Sequence, residues 1–413
     1  MPLSRRRLLT SAGLGAAGIG LGAGGYLVGH SDAEAAEPVT TGSVPFDGKH
    51  QAGISTPAQD RLHFAGFDLQ TESRDEVREL LERWTVAARE MTEGKLIGTY
   101  AGNHAELAPP EDTGEAFGLP ASNLTITFGL GPSLFDRPGL GLSAQRPAAL
   151  KPLPPLPGDE LNGLESDGDL CVQACADDPQ VVFHAIRNLA RIGRGTVTMR
   201  WSQLGFGRTS STTRSQETPR NLFGMKDGTA NIKAEDGEAM DRYVWVDEAQ
   251  PAWMKGGSYL VSRRILMVIE VWDRSSLQDQ EETIGRQKYS GAPLGEEEEF
   301  DPLPLDEKGI DGKPVIPANA HVRLASAQEN SGLRILRRGY SFTDGVDQSL
   351  GELEAGLFFI AFQKDPEKQF VALQEKLGVH DALNEYIHHV GSALFAVPGG
   401  TKSGGYVAES LFT

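Results

Sequence analysis

Val77, Leu80, Leu81, Trp84, Ala88 and Met91 recur at steps of three and four, which is the apolar stripe of an amphipathic helix laid on a core. Just ahead of the stripe stands Ser73-Arg74-Asp75-Glu76, a capping box whose serine and glutamate satisfy free backbone N–H groups. A helix is therefore predicted to start there. Residues 63–69 before it and 124–128 after it read as strands. A proline-rich loop at 147–157 leads to an apolar run, 170–176, read as a strand. Asp178-Pro179 then supplies an N-cap with proline at the first helical position, and a second helix is predicted to about Arg191.

The second half repeats this order. Residues 259–272 read as a strand region, 275–286 as a helix, 320–325 as a strand, and 356–362 as a strand that ends in Lys364-Asp365-Pro366 before another helix. Asp365-Pro366 thus stands to its strand as Asp178-Pro179 stands to the earlier one. The repeat predicts two β-α-β-β-α-β units, a duplicated ferredoxin-like α+β fold of the dimeric α+β barrel type, with the units at 36–200 and 201–413.

The first 35 residues break the pattern. Ser4-Arg5-Arg6-Arg7-Leu8-Leu9 precedes a weakly apolar run rich in Gly and Ala, and Ala33-Glu34-Ala35 offers small residues for cleavage. This is similar to a twin-arginine export signal. The expected protein is released without a stable membrane span, to a periplasmic or to an extracellular or cell-wall destination. The chain has 413 residues, with 39 basic against 57 acidic side chains and a net charge of -18. Such a charge repels phosphate backbones and argues against a nucleic-acid partner. The two cysteines, Cys171 and Cys175, lie four apart on a predicted strand, on one face and too far apart to bridge. They read as buried free thiols.

No GxSxG, HExxH or Walker loop stands in the sequence, and no CxxCH for covalent haem. Three other segments hold candidate chemistry. Gly224-Met225-Lys226-Asp227-Gly228 sets a carboxylate between glycines, whose backbone can approach a flat ligand closely. Asn319-Ala320-His321-Val322-Arg323-Leu324 puts an imidazole at a predicted strand start. Leu336-Arg337-Arg338-Gly339-Tyr340 places a guanidinium on a strand. Residues 296–299, four glutamates in a row, read as a solvated acidic loop.

Taken in order, these three segments resemble the dye-decolourising peroxidase family, in its secreted, twin-arginine-exported deferrochelatase/peroxidase branch. Further stretches carry the resemblance: Pro45-Phe46-Asp47-Gly48, Gln173-Ala174-Cys175-Ala176-Asp177-Asp178-Pro179 and Phe395-Ala396-Val397-Pro398-Gly399. The resemblance implies a non-covalent haem b with His321 as its iron ligand. It implies Asp227 as the distal acid/base and Arg337 as the distal charge that stabilises peroxide as its O–O bond breaks. All three, with Asp365, would contact or tune the cofactor. Asp365 has two readings, an acid beside the second nitrogen of His321 or the N-cap before Pro366. Family members with an Asn two residues after the distal arginine have Gly339 in its place here.

The implied function is an exported peroxidase that reduces hydrogen peroxide and oxidises dyes, phenolics or other one-electron donors. The alternatives are a deferrochelatase-like protein that releases iron from haem, or an iron-uptake carrier. Trp201, Trp245, Trp272, Tyr340 and Tyr386 are candidates for oxidation near the surface. His388-His389 reads as a surface or oligomer feature, and homo-oligomers or iron-uptake partners are open.

Overall fold

The computed structural model describes residues 42–98, 109–247 and 251–413. Residues 1–35, which the sequence reads as an export signal, lie outside the described residues. Among the described residues nine strands form one antiparallel sheet: β1 (Arg61–Leu69), β2 (Thr125–Leu130), β3 (Leu170–Ala176), β4 (Val197–Arg208), β5 (Ser258–Met267), β6 (Leu336–Arg337), β7 (Tyr340–Asp347), β8 (Glu352–Gln363) and β9 (Ile387–Val397). Their order is β5-β9-β2-β3-β1-β4-β7-β8-β6, and β5 also pairs with β8, which closes eight of the strands into a ring.

The duplication is visible in the strand order. The first half runs β2-β3-β1-β4 and the second β7-β8-β5-β9, so in each half the third and first strands lie in the centre, as the ferredoxin-like plan requires. Two thin seams join the halves: β2 meets β9 only at Leu130–Ala396, and β4 meets β7 at two positions. The boundary expected after residue 200 falls inside β4, so the halves are parts of one closed sheet and not separate bodies.

Strand alternation gives the ring two faces. The inner face gathers Leu62, Phe64, Leu260, Phe342, Phe358 and Phe395 with both cysteines, which are free, buried and on one side of β3 as expected. Burial pushes both thiols up, so they stay protonated at neutral pH.

The outer face differs between the halves. In the first, the predicted helices form at Arg74–Thr92, with Ser73 accepting the Glu76 N–H, and at Pro179–Ile192, capped by Asp178. Val77, Leu81, Trp84, Ile186 and Leu189 are buried in one cluster with Phe67, Phe128 and Val172 of the sheet, and the Trp84 indole donates to Leu189 O at 2.8 Å. In the second half, the corresponding layer stands off the sheet and leaves a cavity of about 810 Å³. Its floor is Arg263, Ile265 and Met267 of β5 with Leu357 and Phe359 of β8, and its roof includes Phe370, Leu373 and Leu377.

The strand expected at 320–325 is instead a helical turn, His321–Ala325. Leu324 N–H bonds back to Ala320 O at 3.1 Å. Alternation of Ala320, Val322 and Leu324 imitated a strand, and five residues are too few for a period of two to be told from a period of 3.6.

Candidate functional site

His321 begins its helical turn and looks into the cavity, with about a third of its side chain open. Its Nδ1 lies 2.6 Å from Asp381 Oδ2. Burial pushes the imidazole pKa down, the Asp381 carboxylate pushes it up, and the net direction is upward. Asp381 is itself almost fully buried. It follows the helix Ala372–His380, and its Oδ1 accepts the Leu383 N–H at 2.9 Å. The backbone bond from Ala382 N–H to Asn319 O, 3.0 Å, ties this corner to the start of the His321 turn. With Nδ1 committed to a carboxylate, Nε2 is left as the electron-pair donor.

Asp365 does not take that part. Its Oδ1 accepts the Lys368 N–H at 3.1 Å and its Oδ2 pairs with Lys368 Nζ at 2.7 Å, so it caps the helix that follows Pro366. The acid beside His321 is Asp381, which the sequence did not single out because a lone Asp after a helix resembles any cap.

Asp227 and Arg337 line the same cavity and touch each other: Arg337 Nη1 donates to Asp227 Oδ1 at 2.6 Å. Both lie near enough to His321 for their charges to act on it. Each has a brace. Asn221 Nδ2 donates to Asp227 Oδ2 at 3.2 Å. Asn231 accepts the Arg337 N–H and donates to Arg337 O, both at 2.8 Å. Asn231 also reaches Ser211 O, so its amide holds backbone on both sides. A third distal side chain cannot come from position 339, where a Cβ would stand 2.8 Å from Thr209 Oγ1 and 3.2 Å from Phe358 O.

The glycines around Asp227 serve the chain itself. Gly224 and Gly228 have φ of +74° and +90°, the left-handed region that favours glycine. A Cβ on Gly228 would meet Ser210 Cα at 3.0 Å. At Gly228 the close approach is to a neighbouring loop.

Two further expectations change. Glu299 is not a solvated member of an acidic run. Its carboxylate pairs with Lys226 and accepts from Thr229 Oγ1 at 3.0 Å, clasping the residues on both sides of Asp227. Burial raises its pKa, but bonds from Lys226, Thr218 and Thr229 outweigh this and hold the carboxyl low. His388 pairs with Glu160 near the surface, whereas His389 is buried and lines the cavity. Four of the five aromatic candidates, Trp245, Trp272, Tyr340 and Tyr386, are buried, while Trp201 is half-buried. Trp272 stacks at 4.3 Å on Phe223, which lines the cavity.

The expected haem fits these residues. The cavity has the volume of a cofactor site and a largely apolar lining, and His321 offers one imidazole nitrogen with the other anchored by a carboxylate. Among the described residues there is no cluster of three His, Cys, Asp or Glu side chains that could hold a metal without such a group. No described helix is long and apolar enough to cross a membrane.

A closed, duplicated ferredoxin-like sheet, with a His–Asp pair and an Asp–Arg pair sharing one cavity, defines a peroxidase of the oxidoreductase class. The chain belongs to the Dyp-type peroxidase family: residues 51–207 match its N-terminal domain and residues 218–402 its C-terminal domain. It is 39% identical to the dye-decolorizing peroxidase of Thermobifida fusca, over 99% of this chain and 97% of that one. It is 37% identical to the deferrochelatase of Escherichia coli O157:H7, over 99% and 96%. Ferric DtpA from Streptomyces lividans superposes with a TM-score of 0.82 at 42% identity, covering 91% of this chain and 98% of its own.

Proposed function

We propose that this chain is an exported haem b peroxidase in which His321 holds the iron, Asp227 moves the proton and Arg337 stabilises the developing charge. The observation that carries this reading is the meeting of two pairs in one cavity: His321–Asp381 at 2.6 Å and Arg337–Asp227 at 2.6 Å. Bound haem supplies an iron centre that peroxide oxidises and external donors re-reduce. The remaining chemistry belongs to the protein. Asp381 accepts a hydrogen bond from the Nδ1–H of His321, which fixes the tautomer and makes Nε2 a stronger donor. Asp227 Oδ1 is held by the Arg337 guanidinium at 2.6 Å and Oδ2 only by the Asn221 amide at 3.2 Å, so the more weakly held Oδ2 is the atom that takes a proton from hydrogen peroxide and returns it to the departing oxygen as water. The fixed guanidinium of Arg337 offsets negative charge on the oxygens as their bond breaks. Two electrons from two donor molecules and two protons complete the conversion of one peroxide to two waters.

The purified, haem-loaded chain is expected to bleach an anthraquinone dye only when hydrogen peroxide is added. Release of iron-free, fluorescent porphyrin without peroxide-dependent dye oxidation would replace this reading with haem iron release. An iron carrier would do neither, and has no use for the acid–arginine pair.

Export rests on Arg5-Arg6 and on Ala33-Glu34-Ala35. Replacing both arginines with lysine is expected to leave haem-loaded precursor in the cytoplasm, because the pair is read by a receptor. Cell fractionation and immunoblotting measure it, and undiminished secretion of the variant removes the twin-arginine route.

A further inference from the structure

His389 and Arg263 stand on neighbouring strands of the cavity floor. In the β5·β9 register Arg263 faces Ser392 and Ile265 faces His389, with a bulge between. Arg263 is 1% exposed and His389 is 5% exposed. The guanidinium gives Nη2 to Asp159 and Nη1 to Ser392 Oγ at 3.1 Å, and its buried Nε has no partner. The His389 Nε2 lies 3.3 Å from Gln374 Nε2. An amide NH₂ can only donate, so this contact makes Nε2 the acceptor and puts the ring proton on Nδ1. That Nδ1 is also buried and also has no partner. Burial, and then the Arg263 charge, push the His389 pKa down to about 4, so at neutral pH the ring is an uncharged donor.

Two buried N–H groups without acceptors in one cavity wall each cost stability if they stay unmet. A wall that only packs against a flat apolar ligand has no need of them. Leu, Ile and Phe supply such contact elsewhere in the same cavity. The basic side chains nearer the distal pair are placed otherwise. Lys233 Nζ is held by Ser211 O at 2.9 Å, and Arg334 is bonded to Ala230 O in an exposed position.

We infer that Arg263 and His389, with Gln374 behind the imidazole, form an internal carboxylate-binding subsite. Its ligand is a carboxylate side chain of the porphyrin. This rests on the haem reading above and adds to it a second point of attachment, on the sheet, besides the iron ligand on the helical turn. Arg263 supplies a fixed positive charge already oriented by Asp159. His389 supplies direction, because its ring is pinned by Gln374.

The test is titration of the full-length apoprotein with iron protoporphyrin IX and with its dimethyl ester, which has the same ring but no free carboxylate. Binding is read from the Soret band and from the rate of transfer to apomyoglobin. The wild type is expected to prefer the free acid by about tenfold or more, the scale of one charge-assisted hydrogen bond. His389→Phe, which keeps the volume, is expected to lose most of that preference while binding the ester as the wild type does. His389→Gln, which restores a donor, is expected to recover part of it. Equal weakening toward both porphyrins would show that His389 only packs, and unchanged affinity for the acid would show that the N–H groups face water; either result overturns the inference. If the wild type shows no preference, and acetate shifts the Soret band of the ester complex in the wild type but not in His389→Phe, the subsite takes a free carboxylate and the porphyrin assignment is overturned. Absence of any Soret band with either porphyrin would instead remove the haem reading itself. A matching thermal melt of the apo forms shows that the variants are folded.

Discussion

His321→Ala is expected to leave a chain that retains no haem through purification, because no covalent tether replaces the lost iron–nitrogen bond. Asp381→Asn is the milder companion. The amide cannot accept the Nδ1 proton as a carboxylate does, and loss of such a partner costs about 10–100-fold in metal affinity or activity. Haem content by pyridine haemochrome, set against protein concentration, gives the order wild type, Asp381→Asn, His321→Ala. A full histidine-ligated spectrum in His321→Ala would mean that another imidazole binds the iron. His389, buried in the same cavity, would be the first to test. Asp365→Asn should leave haem content unchanged, since its carboxylate is occupied with Lys368.

The second large effect falls on the reaction with peroxide. Asp227→Asn should slow it by about 10²–10⁴-fold, the usual worth of a general acid–base, and Arg337→Leu by about 10²–10³-fold, the worth of one preorganised donor. Haem content should stay near wild type in both, because neither residue binds the metal. The 2.6 Å contact between them adds a further expectation. Each residue positions the other, so the double variant should be scarcely slower than the worse single one, as happens when residues act as a unit. Rapid mixing with hydrogen peroxide at equal haem occupancy measures all three. Multiplying losses would mean that the pair acts independently, and wild-type rates in both single variants would remove the distal assignment.

Much of the fold was legible because its signals are local. The stripe from Val77 to Met91 and the Asp178-Pro179 start needed only a few adjacent residues each, and both helices formed where expected. The two Asp-Pro turns marked the duplication that the strand order displays. His321, Asp227 and Arg337 were legible through the motifs around them, and they do share one cavity. What escaped was pairwise and distant. Asp381 is 60 residues from His321, and Glu299 is 73 from Lys226. A run of four glutamates looks solvated whichever member is buried, and two adjacent histidines on a strand point to opposite sides, so one can be exposed while the other is inside.

The unequal filling of the two halves has a thermodynamic meaning. Side chains such as Trp84 and Leu189 complete the first half from the chain's own sequence, whereas in the second half about 810 Å³ between sheet and helices is left to a guest. A guest that binds only the folded state adds RT ln(1 + [L]/Kd) to stability, about 4 kcal/mol at a thousandfold excess over Kd. For this chain the cofactor is thus also the missing hydrophobic interior of one repeat. Loading and final consolidation become a single event, and a transport route that accepts only finished proteins would thereby also select loaded ones.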